Sequence, residues 1–259
     1  PTYNRAGVVT RAIESVLAQS FSDLEIIVVD DGSSDETKTV LKPYIEQRKR
    51  KLRYLYQEHK NVASARNTGI RHARGDLIAF LDSDDEWFVD KLKKQVAYMQ
   101  ASDVGFVHTG RIVIHMPGNQ RSRLRLHPGA LANNRSELLA GTANVAMTVI
   151  ARRGVFDEVG LFDESLITTQ DLDLWLRIAK QHEIGLISKP LMNSYKLADS
   201  HMAANFEQTY SDRIRVYGKL AVDDHPLVIR KNWKALLARH CDQLATEEFR
   251  RRKYEDGLN

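Results

Sequence analysis

The stretch Leu77-Ile78-Ala79-Phe80-Leu81-Asp82-Ser83-Asp84-Asp85 places three carboxylates within four residues, directly after a wholly apolar run. Asp-x-Asp offers hard oxygen ligands suited to Mg²⁺ or Mn²⁺, and such an ion would in turn hold a diphosphate. Asp- and Ser-rich turns also form for purely conformational reasons, so the weight of this one comes from its surroundings. A second acidic pair, Asp30-Asp31, closes another apolar run and leads into Gly32-Ser33-Ser34-Asp35; Asp30 is expected to act in the turn itself. A third, Asp171 and Asp173, opens an amphipathic segment. Two residues turn a helix by about 200°, so these two cannot face one cleft, and Asp173 is expected to form a surface ion pair with Arg177 at i+4. Asp85 and Glu86 are expected to cap the segment that follows them.

The elements around these acids are legible from apolar periodicity. Val8, Val9, Ala12, Ile13, Val16 and Leu17 give a helix over about 7–19. Residues 24–29 read as a strand, and a helix bent by Pro43 follows, capped by Ser33 or Ser34. Residues 52–56 are a third strand; 62–74 a helix closed by Gly75. The run to Leu81, apolar throughout, reads as a strand covered on both faces. Residues 90–100 are helical, 104–115 extended, and 116–134 a polar, Arg-rich loop of the length that usually carries function. Strands over 144–150, 184–187 and 191–195 surround a helix over 172–180, and a helical pattern runs from about 203. Strict strand–helix alternation predicts a doubly wound, mostly parallel α/β sheet flanked by helices, with residues 1–200 as one domain and 201–259 as a C-terminal helical extension. Tyr3, Asp31 and Asp82–Asp85 would then emerge at the carboxyl ends of strands and share one crevice. Pro1-Thr2-Tyr3-Asn4 reads as the exit of a strand lying before Pro1, so a central strand is expected to be missing from these 259 residues.

Composition excludes some classes. Hydrophobic content of 42% and charged content of 28% suit a globular protein with a sizeable core. A net charge of +4, from 38 basic and 34 acidic residues, suits an anionic ligand or surface without demanding either. The single cysteine, Cys241, excludes an internal disulfide framework or a cysteine-built zinc site and fits a reducing cytosol. No apolar run is long enough to span a bilayer. Basic residues are scattered without interleaved aromatics, which argues against nucleic acid.

Six motifs stand in order: Pro1-Thr2-Tyr3-Asn4-Arg5, Val28-Val29-Asp30-Asp31-Gly32-Ser33, Ala65-Arg66-Asn67-Thr68-Gly69-Ile70, Phe80-Leu81-Asp82-Ser83-Asp84-Asp85, Phe162-Asp163-Glu164 and Gln170-Asp171-Leu172-Asp173-Leu174-Trp175-Leu176-Arg177. Together, over residues 1–200, they resemble the family 2 glycosyltransferases of the GT-A fold, inverting, metal-dependent enzymes that use nucleotide-activated sugars. The resemblance implies a nucleobase pocket lined by Pro1, Thr2 and Tyr3, with Tyr3 packing on the base and Asp31 accepting its N–H. It implies Arg66 near the diphosphate, Asp82 and Ser83 by the ribose, and Asp84 as ligand of Mn²⁺ or Mg²⁺. Asp171 matches the general base that deprotonates the acceptor hydroxyl. Three positions depart from the pattern: Gln170 stands where a Glu is common, Asn61 where a Gly is common, and His201 is displaced from its usual place after an aromatic–basic pair.

The partners implied are a nucleotide sugar, a UDP-sugar above others, and a saccharide or lipid-linked saccharide acceptor. The setting implied is surface-polysaccharide assembly in the cytoplasm, with the basic end Arg250-Arg251-Arg252-Lys253 available to touch an anionic membrane face. Two other readings compete. A sugar nucleotidyltransferase would want a Gly-rich, Arg-containing phosphate loop after the first strand, and Tyr3-Asn4-Arg5-Ala6-Gly7 does not supply it. A non-catalytic nucleotide-sugar-binding or scaffold module would tolerate loss of Asp84 or Asp171, and both are present.

Overall fold

β-Branched residues build the first strand, β1 (Ile26–Asp30), which pairs in parallel with β2 (Leu52–Tyr56) from Ile26 opposite Leu52 to Asp30 opposite Tyr56. In this computed structural model, residues 1–48, 51–116, 122–126, 147–197 and 206–222 are described, with isolated residues at 138, 145 and between 234 and 245. Helix α1 (Val9–Leu17) buries Val9, Ala12, Ile13 and Val16, an i, i+3, i+4, i+7 stripe. It packs with α2 (Thr37–Gln47), which contains Pro43, and α4 (Lys91–Ala101) around one apolar cluster that includes Val28, Leu41, Leu92 and Met99.

Two expected helix ends are made differently. At α2 neither Ser33 nor Ser34 caps the helix; Asp35 Oδ1 accepts from Thr37 N at 2.9 Å, and Asn4 Oδ1 accepts from Ser34 N at 2.8 Å. Asn4, which accepts from the Ser34 and Asp35 amides, sits in the left-handed region at φ 50°, which its short polar side chain tolerates. Helix α3 (Val62–His72), capped by Asn61 Oδ1 accepting from Ser64 N, does not close on Gly75: Ala73 is already extended. Arg53 Nη1 donates to His72 O at 2.8 Å, so the helix's last carbonyl has a partner without a left-handed glycine.

The second sheet departs from the expected mostly parallel arrangement. It is six-stranded and mixed, in the order β3 (Leu77–Ala79), β7 (Ile150–Arg152), β5 (Phe106–Met116), β8 (Ile184–Leu197) and β4 (Glu86–Trp87), with β6 (Ser122–Leu126) on β5. Only β5–β8 is parallel; β3–β7, β5–β7, β4–β8 and β5–β6 are antiparallel. Helix-by-helix alternation stops after α4, and strands joined by other connections are free to return antiparallel. The strand before Asp82 ends at Ala79, two residues earlier than read; the strand expected over 144–150 begins at Ile150; 184–187 and 191–195 are one strand; and the loop over 116–134 contains β6. Asp85 and Glu86 cap nothing. Asp85 Oδ1 accepts from Tyr195 N at 3.0 Å, and Glu86, within β4, accepts from Asn193 Nδ2 and Tyr195 Oη, both at 3.0 Å.

Between β1 and β3, which are not hydrogen-bonded neighbours, lies a cavity of about 730 Å³ lined by Ile13, Val28 and Ile78 among others. The larger core lies beyond the second sheet. There Trp175 of α6 (Gln170–Gln181), fully buried, meets Phe80 at 5.8 Å, Phe106 at 5.4 Å and Phe162 at 6.1 Å between ring centroids. Val155 and Phe156 of α5 (Gly154–Val159) join this cluster, as do Val216 and Tyr217 of α7 (Phe206–Val222). Among the described residues no helix is long and apolar enough to cross a membrane.

Candidate active site

The exits of the two sheets carry the acids. At the end of β1, Asp30 does the work of the turn: its Oδ1 accepts from Ser33 N at 2.8 Å and its Oδ2 from Tyr54 Oη at 2.6 Å. Asp31 points elsewhere. Buried, it accepts from Gln57 Nε2 at 2.6 Å and Lys60 N at 3.1 Å, and it lies 2.9 Å from His59 Nδ1. Gly32 follows at φ +82°; a Cβ there would stand 2.7 Å from the His59 backbone nitrogen, so the close approach of the two segments requires glycine. Thr2 is buried and bridges Asp30 in parallel, its N–H donating to Val29 O at 2.8 Å and its carbonyl accepting from Asp31 N at 2.9 Å. Tyr3, 42% exposed, stacks on His59 with centroids 4.0 Å apart and planes 18° from parallel.

The Asp82–Asp85 rim is a tight turn closed by Asp85 N donating to Asp82 O. Arg66, buried in α3, pairs with Asp82 at 2.7 Å and lies over the Phe162 ring. Arg66, Ser83, Pro1 and Thr2 line the 730 Å³ cavity. Arg11 Nη2 donates to the Asp84 carbonyl at 2.6 Å while its guanidinium rests on the Tyr195 ring. Burial, then the charges of Asp82 and Asp84, push the Asp85 carboxyl up to about 8. Among the described residues no three His, Cys, Asp or Glu side chains converge as a closed metal cage. The carboxylates of the rim are hard oxygen donors of the kind that Mg²⁺ or Mn²⁺ takes together with phosphate and water oxygens.

Asp171 comes from far along the chain to the same place. Burial raises its pKa; Arg66 and the amide of Leu172, at 2.8 Å from Oδ1, lower it; Asp82 raises it and Arg111 lowers it. The charge of Asp82 thus acts on Asp171 across 89 residues of sequence, with Arg66 and Arg111 shared between them. The residue before α6 is strained: Thr169 sits at φ 56°, unusual for a β-branched side chain. Thr168 is held from α7, where the fully buried Asp212 accepts from Thr168 N at 2.7 Å and Thr168 Oγ1 at 3.0 Å. Asp173 is not at the surface as expected. It is buried, and its partner Arg177 also donates to Val159 O at 2.6 Å and Leu161 O at 2.7 Å, clamping the turn that ends in Phe162. That turn docks on α3 through Asn67, which donates to Phe162 O and Glu164 Oε1 and accepts from Phe162 N at 2.9 Å.

Four residues of this site escaped sequence reading. Arg111 lies at a bulge in the β5–β8 ladder, with its Nε buried and without a hydrogen-bond partner among the described residues. A bulge re-aims one side chain, and no periodicity announces it. His59 and Gln57 act on Asp31 through the chain's return after β2. Asp212 did carry a signal: an acid on the buried stripe Thr209, Asp212, Val216 of α7. His201 and Arg250–Lys253, and the side chains of Arg121–Arg125, lie outside the described residues.

Residues 1–160 match the family described as "Glycosyl transferase family 2". The chain belongs to that family. It is 31% identical over 207 residues to the UDP-Glc:alpha-D-GlcNAc-diphosphoundecaprenol beta-1,3-glucosyltransferase WfgD of Escherichia coli, covering 79% of this chain and 78% of that one. With the putative teichuronic acid biosynthesis glycosyltransferase TuaG of Bacillus subtilis the identity is 30%, over 79% and 80%. An uncharacterized glycosyltransferase of Rickettsia felis is 36% identical over 192 residues, but the chain spans only 31% of its length. Family 2 membership accords with the α/β architecture, which matches solved GT-A glycosyltransferases. S. aureus TarS 1-349 in complex with UDP-GlcNAc superposes with a TM-score of 0.72 at 20% identity, over 93% of this chain and 70% of that one. The mannosyltransferase PcManGT of Pyrobaculum calidifontis, in complex with GDP-Man and Mn²⁺, gives 0.72 at 19%, over 92% and 67%.

Proposed function

We propose that this family 2 chain is an inverting, metal-dependent glycosyltransferase that moves a sugar from a nucleoside diphosphate, a UDP-sugar above others, to a hydroxyl of a glycan or lipid-linked saccharide. The observation that carries this is Arg66, which pairs with Asp82 of the rim at 2.7 Å and whose charge also acts on Asp171, as that of Arg111 does on both. A carboxylate that can take a proton thus stands across from a rim suited to a leaving group. The relatives support the substrate classes: one is named for UDP-Glc and a diphosphoundecaprenol-linked acceptor, and structural neighbours hold UDP-GlcNAc or GDP-Man. On this proposal the chain works in the cytoplasm, peripherally at the inner face of the cell membrane, where a lipid-linked acceptor would be met.

In this reading Tyr3 packs on the base and Asp31 accepts its N–H; Pro1 and Thr2 wall the pocket, and Asp82 and Ser83 face the ribose. Arg66 neutralises charge beside the diphosphate. Asp84 holds the Mn²⁺ or Mg²⁺, which when bound supplies charge neutralisation to the departing diphosphate. Asp171 accepts the acceptor hydroxyl's proton as that oxygen attacks the anomeric carbon from the face opposite the diphosphate; the carbon–oxygen bond to the diphosphate breaks and configuration inverts. Burial lifts Asp171 towards the basicity this needs, while Arg66, the Leu172 amide and Arg111 oppose that rise.

The test is calorimetric titration of UDP and GDP with Mn²⁺ and with chelator. Tight binding is expected only with metal, and Asp84→Ala is expected to weaken it about a hundredfold, about 2.7 kcal/mol. If neither nucleotide binds with metal present, the proposal fails.

A further inference from the structure

The ring of His59 makes both contacts that the proposed function gives to the nucleobase. It stacks on Tyr3 at 4.0 Å and 18°, and its Nδ1 stands 2.9 Å from Asp31 Oδ2 and 2.9 Å from the Asp31 carbonyl. A flat heteroaromatic ring with an N–H directed at a buried carboxylate is, chemically, the edge and face of a pyrimidine or purine base. Two rings at this spacing leave no room for a third between them, which would need about twice the separation. The base and the imidazole therefore compete for one face of Tyr3 and one oxygen pair of Asp31.

The backbone around His59 cannot move aside. Its nitrogen and Cβ lie against Gly32, close enough that a Cβ on Gly32 would stand 2.7 and 3.0 Å from them. Lys60 N is itself tied to Asp31 at 3.1 Å. The side chain, by contrast, is half exposed, at 50%. Rotation about its own χ1 releases it into solvent while Gln57 and the Lys60 amide stay on Asp31. The geometry points to His59 as a built-in plug of the nucleobase seat, one that the nucleotide must displace and that sets which bases gain enough from Tyr3 and Asp31 to do so. This inference rests on the assignment of Tyr3 and Asp31 to the base.

Because a plugged site binds only through its open fraction, apparent affinity falls by that fraction. With the plug closed about nine-tenths of the time, His59→Ala is expected to bind nucleotide about tenfold more tightly. His59→Phe keeps the stack but lacks the N–H and should fall between the two. The experiment titrates UDP and GDP with Mn²⁺ into wild type and both variants, with thermal melts to show that each is folded. In parallel, the His59 ring resonance of the wild type, shifted by the Tyr3 ring current, is followed on adding nucleotide; it is expected to move towards the value of a free histidine. Equal or weaker nucleotide binding by the folded variants, with the His59 resonance unmoved, overturns the plug and leaves the glycosyltransferase reading intact. Failure of both nucleotides to bind wild type and variants alike overturns the reading itself, and the plug with it.

Discussion

In the proposed function, the nucleotide side and the general-base side of this cleft are built by different means. On the nucleotide side, residues 1–90, the turns are closed by near neighbours, as where Asp30 ties Ser33, Asn61 caps α3 and Asp85 N closes on Asp82 O, while Asp31 is held by Gln57 and Lys60 and Asp82 by Arg66, all within the same ninety residues. On the base side, Asp171 is placed by contacts that cross the chain. Thr168 hangs from Asp212, Phe162 from Asn67, and Arg111 arrives by a bulge. In that reading, contacts within one short stretch of chain serve where a nucleotide and its metal would bring their own charge to organise around. A base that must stand at a fixed place relative to that ligand is instead pinned by the core.

The comparison is broken most directly at Asp171. Asp171→Asn should lower the transfer rate by about a thousandfold, the range of a general base, while nucleotide affinity measured by calorimetry stays within twofold. If both change together, the two sides are one unit and the division fails.

Asp212→Ala is the sharper probe, since it touches neither ligand. It leaves the Thr168 amide and hydroxyl unpaired at a buried position, a cost of about 2–3 kcal/mol visible as a lowered urea midpoint. The turnover rate should drop roughly tenfold or more as α6 loses its anchor, with the nucleotide dissociation constant unchanged. Asp212→Asn, which keeps one acceptor oxygen, should recover part of both.

The sequence made the nucleotide side readable for the same reason that side is robust. Asp31 and the Asp82–Asp85 rim announce themselves because strand exits and a glycine leave local signatures, whereas Arg66 and Asp171 were singled out by the family resemblance. What stayed hidden is what depends on pairing at a distance. Nothing near β3 states that it joins β7 antiparallel, and nothing near Asp173 states that Arg177 bonds carbonyls of the preceding turn and draws the pair under cover. Asp85 was misread because its partner, the Tyr195 amide, lies 110 residues away.

Arg111→Met should act through protonation. Burial already holds the Asp171 pKa above the usual carboxylate value, and Arg111 opposes that rise. A base works ionised, so activity is present above its pKa and lost as pH falls through it. Removing the guanidinium lifts the pKa further, and the acidic limb of the turnover profile should move to higher pH. Arg111→Lys should bring it most of the way back; an unmoved limb would remove Arg111 from the site's electrostatics.

The smallest effect belongs to a link between α7 and the turn after Phe162. Burial pushes the Asp163 carboxyl up, but hydrogen bonds from Ser165 and Lys219 outweigh it and hold the group at about 2. A lowered pKa stabilises the fold above the ordinary carboxylate value and ceases to do so as pH falls through about 2. Lys219→Met should therefore cost less than about 1 kcal/mol near neutrality, because Lys219 is largely solvated. The difference from wild type should fade in melts run at progressively lower pH.

The contact between Phe80 and Trp175 has one more consequence. Phe80 stands two residues before Asp82, and Trp175 one helical turn after Asp171, so the two carboxylates ride on opposite sides of a single edge-to-face aromatic joint. Such a joint acts as a spacer of set length. In the proposed function the gap between leaving group and base is then a property of the folded chain at rest, and little apolar surface remains to be covered across that joint when substrates arrive. The heat-capacity change on nucleotide binding should therefore come from the seat of the base at Tyr3 and His59, with variants of that seat altering it and the Phe80–Trp175 joint adding little.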